Sequence, residues 1–173
     1  MISPKLVITD IDGVWTDGGM YYGQNNLELK KFNTSDSVGV LFLRYMDIPL
    51  VIMTGENSEE VKRRAKKLGI DKVFLGVSDK LELAKKLCEE NNLLLKEIAF
   101  VGDDINDLEL LTQVGFSASP QNAPWYVKEK VHMVLETKGG DGAFREFVEY
   151  LVSKFSSFDY VLSKYFEERK LNQ

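Results

Sequence analysis

Short runs of branched apolar residues alternate along the chain with longer stretches in which apolar side chains return every three or four positions. Leu6-Val7-Ile8 is the first such run, and residues 49–53, 73–75 and 98–101 repeat the pattern. Each reads as a buried strand, and residues 131–135 are a candidate for a late one. Helical periodicity falls at about 36–46, 57–68 and 79–91, and again near 106–113, 124–129 and 142–154. Strands separated by helices of this length require crossover connections. The predicted fold is therefore α/β, a doubly wound and mostly parallel sheet.

Two segments break the alternation. Between about 14 and 33 there is no helical period; Met20-Tyr21-Tyr22 and Leu27-Glu28-Leu29-Lys30 flank Gly23-Gln24-Asn25-Asn26, which predicts a β-hairpin around a polar turn. Near the other end, Phe158, Val161, Leu162 and Tyr165 form an apolar stripe on a short helix. That stripe must dock on its own domain or on a neighbour. The expected organisation is one domain over 1–154, with the hairpin as a flap, and a helical tail over 155–173.

Composition narrows the class. The chain has 173 residues, 44% hydrophobic and 28% charged, which is enough to bury a core. Its net charge of −5 lacks the basic footprint of a nucleic-acid binder. No apolar run approaches the roughly 20 residues that span a bilayer. Leu6-Val7-Ile8 gives way at once to Thr9 and Asp10, unlike a signal-peptide core. A single cysteine, Cys88, forms no internal disulfide. A soluble, cytoplasmic protein is expected, with no nucleic-acid or membrane partner.

The chemistry sits where strands end. In a parallel sheet, ligands bind beyond the carboxyl ends of the strands. There the chain carries Asp10-Ile11-Asp12-Gly13, Thr54-Gly55-Glu56 and Gly102-Asp103-Asp104, with Lys80 at the start of the helix that follows 73–75. Closely spaced carboxylates repel one another, and Mg²⁺, with its preference for oxygen ligands, is the usual remedy. Phosphoryl transfer through an aspartyl-phosphate uses such a set: a carboxylate nucleophile, a second carboxylate as acid and base, and a hydroxyl and an ammonium around the transferring group.

In order, Asp10-Ile11-Asp12-Gly13, Thr54, Lys80 and Gly102-Asp103-Asp104 resemble the four motifs of the haloacid dehalogenase superfamily of phosphohydrolases. The resemblance implies Asp10 as nucleophile, Asp12 as general acid/base, and Thr54 and Lys80 on the phosphoryl oxygens. It implies Mg²⁺ held by Asp10, the Asp12 backbone carbonyl and Asp103, with Asp104 and Asp107 as supporting acids. The alternative for each motif alone is an ordinary acidic loop or turn.

There is no room for an inserted cap domain on either side of Thr54. A monomer would leave its site open to water, and a hairpin bearing Trp15, Met20, Tyr21 and Tyr22 would expose much apolar surface. Both features predict an oligomer. DGVWTDGGMYY, KFNTSDSVG, TGENSEEVKRRAKKLGI, GVSDK, VGDDINDLELL and GGDGAFREFVEYL resemble the capless phosphatases of 2-keto-3-deoxy sugar-acid biosynthesis. That resemblance implies a tetramer in which one subunit lines the next one's site.

Two branches of that family act on different sugar acids. One hydrolyses 3-deoxy-D-manno-octulosonate 8-phosphate (KDO 8-phosphate). The other hydrolyses 2-keto-3-deoxy-D-glycero-D-galacto-nononate 9-phosphate (KDN 9-phosphate). Thr54-Gly55-Glu56, with Arg64 and Lys67 further along the same helix, resembles the nine-carbon branch; the eight-carbon branch has arginine at the position of Glu56. The resemblance implies Glu56, Arg64, Lys67, Gly55 and Thr34 as substrate-binding residues. Physically, Glu56 can accept hydrogen bonds from sugar hydroxyls, and Arg64 and Lys67 could bind a carboxylate from a neighbouring subunit. Equally, the basic end of 57–68 answers the helix dipole. Asp36 either faces substrate or caps its own helix. The loop 139–142 either cradles an anion or turns into a helix capped by Asp141, and Arg145 beyond it is a distant candidate for substrate contact. His132 is expected to be structural. A non-catalytic oligomeric scaffold is the alternative of a different class. A two-component receiver domain is disfavoured, because Thr54 stands where its phosphorylated aspartate belongs.

Overall fold

The computed structural model describes residues 2–25 and 27–171. Six parallel strands form the central sheet: β1 (Leu6–Thr9), β4 (Leu50–Met53), β5 (Lys72–Phe74), β6 (Ile98–Val101), β7 (Phe116–Ser119) and β8 (Met133–Val134). Their spatial order is β5-β4-β1-β6-β7-β8. A separate antiparallel pair, β2 (Tyr21–Tyr22) and β3 (Glu28–Leu29), makes the hairpin, with Tyr21 opposite Leu29. Of its predicted turn, Asn26 lies outside the described residues.

Successive strand residues point to opposite faces, and both faces are covered. Val7, Ile52, Ala99, Val101, Phe116 and Ala118 pack in one layer with α1 (Asp36–Tyr45), α2 (Glu59–Leu68) and α6 (Ala143–Phe155). Leu6, Ile8, Val51, Met53, Ile98 and Phe100 pack on the other with α3 (Lys80–Asn91), α4 (Leu108–Gln113) and α5 (Trp125–Lys128). Cys88 is buried in this second layer. Burial on both sides explains why the strands read as unbroken apolar runs. Local chemistry fixes the helix ends. Asp79 accepts from the Glu82 N–H at 2.8 Å to start α3, and Gly69, at φ +66°, closes α2.

Sheet order decides where a ligand goes. β4 follows β1 on one side and β6 lies on the other, so the winding reverses at β1, opening a crevice at its carboxyl end. Asp10 is the next residue.

Three expectations need correction. Strand β7 is absent from the predicted set: Ser117 and Ser119 give Phe116–Ser119 a loop-like look, yet all four residues are buried between β6 and β8. Ser117 is engaged by His132, whose Nδ1 accepts from the Ser117 backbone N–H at 3.1 Å. Trp15 does not belong to the exposed hairpin surface. The N–H groups of Val14, Trp15 and Thr16 all donate to the Ile11 carbonyl, which folds this stretch inward. The indole then stacks on Phe144 at 4.4 Å and donates to Thr9 Oγ1 at 2.9 Å. Asp36 does not cap its own helix. It is the first residue of α1, and its Oδ1 accepts from the Arg145 N–H at 3.0 Å, capping α6 across the layer.

The final helix, α7 (Phe158–Leu171), docks on its own chain. Val161 is fully buried, Phe158 meets Phe42 edge-on at 6.3 Å, and the Tyr45 hydroxyl donates to Glu168 at 2.5 Å. Leu162 and Phe166 stay exposed. Among the described residues no helix is long and apolar enough to cross a membrane.

Candidate active site

Strand β1 delivers Asp10 to the crevice, where its backbone N–H donates to the Val101 carbonyl at 3.0 Å and its side chain is buried. Lys80, the first residue of α3, enters from the side with its own side chain buried. Its Nζ lies 3.0 Å from Asp10 Oδ1 and 2.5 Å from Asp107 Oδ1. Asp107 is fully committed: its other oxygen accepts the backbone N–H groups of Asp103 and Asp104, at 2.9 and 3.3 Å. That grip shapes the loop after β6 and aims Asp103 at Asp10.

Thr54 directly follows β4, buried, with Oγ1 accepting from the Glu56 N–H at 3.3 Å. Gly13 has φ +80° and faces Asp103 so closely that a Cβ would sit 1.9 Å from Oδ2. No other residue fits between the two acidic loops. A depression of about 270 Å³ results, lined by Asp10, Asp12, Gly13, Thr54, Gly55, Glu56, Asp103, Asp104 and Asn106.

The electrostatics of this crevice call for a cation. Burial pushes the Asp10 carboxyl up to about 7, helped by repulsion from Asp107 and opposed by Lys80. Asp103 is pushed up to about 8, by burial and then by Asp10, Asp107 and Asp104. Burial works against the charge of Lys80, but Asp10 and Asp107 outweigh it and hold the ammonium above the ordinary lysine range. One ammonium does not neutralise three carboxyls. Oxygens of Asp10, Asp103 and Asp107 lie within 4.8 Å of one another, and Lys80 meets two of these three acids. An all-oxygen set holding more carboxyls than its ammonium balances fits a hard divalent cation.

Thus Asp10, Asp12, Thr54, Gly55, Glu56, Asp103 and Asp104 line one depression, with Lys80 and Asp107 directly behind it. Asp104 serves its own loop as well, accepting from the Ile105 N–H at 2.7 Å and the Tyr126 hydroxyl at 2.9 Å. Arg64 and Lys67 do not line this depression. They border another, of about 400 Å³, with Leu29, Lys30, Phe32 and Glu60. Arg64 donates to the Asn33 carbonyl at 3.1 Å and lies over the Phe32 ring. Thr34 is not brought to the depression either; its carbonyl accepts the Ser37 N–H in the turn before α1. Arg145 is likewise held elsewhere, by Glu149 at 2.5 Å.

The loop 139–142 neither cradles an anion nor uses Asp141 as a cap. The N–H groups of Gly139, Gly140 and Asp141 donate to Asn122, Val14 and Lys138, and the cap residue of α6 is Gly142. A Cβ on Gly139 would lie 1.8 Å from the Gly13 carbonyl oxygen, so this loop buttresses the first acidic loop.

Sequence reasoning missed two residues. Asn106 lies within VGDDINDLELL and lines the depression. Lys30, on the hairpin, reaches Asp12 with Nζ 2.7 Å from Oδ1 and 2.8 Å from Oδ2. A signal was present: Leu27 and Leu29 face outward while Glu28 and Lys30 turn inward, the reverse of an ordinary surface strand.

Comparison with known proteins agrees with this geometry. A family model described as haloacid dehalogenase-like hydrolase matches residues 76–147. The 3-deoxy-D-manno-octulosonate 8-phosphate phosphatase of Haemophilus influenzae is 38% identical over 158 residues, 90% of this chain and 88% of that one. The corresponding phosphatase from Moraxella catarrhalis, solved in complex with a magnesium ion, a phosphate ion and a KDO molecule, has a TM-score of 0.90 at 32% identity, over 94% of each chain. The cobalt-bound form of the Haemophilus influenzae phosphatase has a TM-score of 0.84 at 36% identity, over 92% of this chain and 97% of that one. With such identity across nearly its whole length, the chain belongs to the 3-deoxy-D-manno-octulosonate 8-phosphate phosphatase family of haloacid dehalogenase-like hydrolases.

Proposed function

We propose that this phosphatase removes phosphate from a 2-keto-3-deoxy sugar-acid phosphate, with KDN 9-phosphate its preferred substrate. The observation that carries the substrate choice is Glu56, which lines the acidic depression two residues from Thr54. A carboxylate there accepts hydrogen bonds from the hydroxyls of a polyol chain. KDO 8-phosphate is the second reading, favoured by the named activities of the relatives.

Asp10 is the nucleophile. Its oxygen bonds to phosphorus as the ester oxygen leaves with the bonding pair, and Asp12 gives that oxygen a proton. Water then attacks the aspartyl-phosphate, Asp12 takes its proton, and Asp10 is regenerated. Thr54 and Lys80 hold the phosphoryl oxygens; Lys80 also keeps Asp10 and Asp107 apart electrically. Asp10, Asp103 and the Asp12 backbone carbonyl would hold Mg²⁺, which supplies positive charge against the dianionic phosphoryl group. Asp104 and Asp107 support that set.

The outward Tyr21, Tyr22, Leu27 and Leu29 favour assembly through the hairpins. In a tetramer, the depression bordered by Arg64 and Lys67 would meet the carboxylate end of a substrate bound by a neighbour. Thr34, near the base of the hairpin, belongs to the same proposed contact.

Phosphate release from KDN 9-phosphate and KDO 8-phosphate, measured side by side with Mg²⁺, tests the reading. A tenfold or greater advantage in kcat/KM for the nine-carbon acid, about 1.4 kcal/mol, is expected. Glu56→Ala should reduce that advantage while sparing a generic aryl phosphate. A preference for KDO 8-phosphate would keep the chemistry and overturn the substrate choice. Turnover of neither would overturn the function.

A further inference from the structure

We propose that Lys30 is a positioning residue for Asp12, fixing from the hairpin the carboxylate that exchanges protons with the substrate; this rests on the phosphatase reading above. The Lys30 side chain has no solvent exposure, although it follows a two-residue strand on an appendage. Burying an ammonium is costly unless it is paired, so its burial marks a specific partner. That partner is Asp12, gripped through both oxygens at 2.7 and 2.8 Å. Its other neighbours are Met20 Sδ at 3.6 Å and Glu28 at 4.0 Å.

The two oxygens of Asp12 are not equivalent. Thr16 donates its hydroxyl to Oδ1 at 3.2 Å, and accepts the Gly18 N–H at 3.2 Å. Oδ1 therefore carries two donors and Oδ2 one. Held at two points, the carboxylate has no freedom to turn about its Cβ–Cγ bond, and Oδ2 keeps the larger free lone-pair capacity. Oδ2 is then the atom that gives a proton to the departing ester oxygen and takes one from the attacking water. Lys30 retains Oδ1 through both half-reactions. No other cationic side chain lies within salt-bridge distance of Asp12 among the described residues.

The test compares leaving groups. An alkyl phosphate ester needs a proton at its departing oxygen, whereas p-nitrophenyl phosphate departs without one, and kcat/KM reports the step of departure. Lys30→Met should lower kcat/KM about 100-fold for the sugar-acid phosphate the wild type prefers, and no more than about threefold for p-nitrophenyl phosphate. Lys30→Arg, whose guanidinium also bridges two carboxylate oxygens, should recover most of the loss. Circular dichroism and size-exclusion chromatography verify that the variants fold and assemble. Should Lys30→Met fail to assemble, Lys30→Gln carries the same comparison. Equal losses on both esters, or no rescue by arginine, would show that Lys30 merely braces the hairpin. A wild type inert towards both esters would overturn the phosphatase reading and this inference with it. An active wild type with equal losses in Lys30→Met would overturn the role of Lys30 alone.

Discussion

Two buried lysines serve two aspartates that are themselves two residues apart, and they come from regions of opposite character. Lys80 stands at the head of a twelve-residue helix packed on the sheet, and it bridges Asp10 and Asp107 where neither acid has appreciable exposure. Lys30 comes from a hairpin of two short strands whose apolar side chains face outward, and its partner Asp12 keeps a quarter of its side-chain surface. The first pair is fixed by the same packing that makes the domain. The second depends on an appendage that, on the proposed reading, is completed by neighbouring subunits. The difference teaches where rigidity is spent: the proposed nucleophile is set by the core, and the proposed acid/base by an appendage.

The sharpest way to break the comparison is at the core. Asp10→Asn keeps the shape of the side chain but has no nucleophilic carboxylate, and turnover should fall at least about 1,000-fold with fold and assembly intact. Appreciable residual phosphate release would remove Asp10 from its role. Lys80→Met tests the stability side. It strands Asp10 and Asp107 in the interior, and breaking a buried pair in this way typically costs about 3–5 kcal/mol. Urea unfolding should show a loss of that order; a loss below about 1 kcal/mol would mean that water reaches the acids.

The same contrast governs what the sequence revealed. The strands of the core announce themselves because burial on both faces demands unbroken apolar runs, and Asp10, Thr54 and Asp103 follow because each comes just after such a run. Lys80 is legible as a helix-start lysine beyond a strand. β7 escaped because two of its four residues are serines, so no apolar run forms. Trp15 was misplaced because nothing in composition tells that the chain folds back on the Ile11 carbonyl before the hairpin begins. Lys30 escaped because a lysine on a polar hairpin is ordinarily solvated. Only the outward Leu27 and Leu29 betray that the strand is turned inside out. Arg64 and Lys67 share a helix face as expected, but where that face sits relative to Asp10 is a property of the assembled sheet.

A third buried carboxylate, Asp36, extends the comparison to an acid with no lysine at all. Its Oδ1 caps α6 while Oδ2 is buried without a hydrogen bond, and burial pushes the group up to about 6, against the pull of the Arg145 N–H and of Arg64 and Arg145. In the unfolded chain the same group titrates near 3.8. Between these values the folded state holds more protons than the unfolded one, so this group's contribution to stability is full below about pH 4 and is lost as pH rises through about 6. Asp36→Asn keeps an acceptor for the Arg145 N–H and removes the charge. At pH 7 it should be more stable than wild type by up to roughly 3 kcal/mol, and near pH 4 the two should converge. Urea midpoints at both pH values read this directly. A difference that does not change with pH would mean that Asp36 is ionised without cost.

The smallest effect on stability is expected where the catalytic effect is specific. Lys30→Met retains the apolar stem of the side chain and deletes the ammonium, leaving Asp12 beside the solvent it already touches. Water can then take up the contacts that Nζ made, so the loss of stability should stay within about 1 kcal/mol, several times less than for Lys80→Met. Paired unfolding curves for the two variants measure that ratio. If Lys30→Met proved as costly as Lys80→Met, the hairpin would have to be counted as part of the core, and the distinction between a proposed nucleophile set by packing and a proposed acid/base set by an appendage would fail. If it costs little while the leaving-group comparison still shows its split, Lys30 acts on the chemistry through the orientation of one carboxylate.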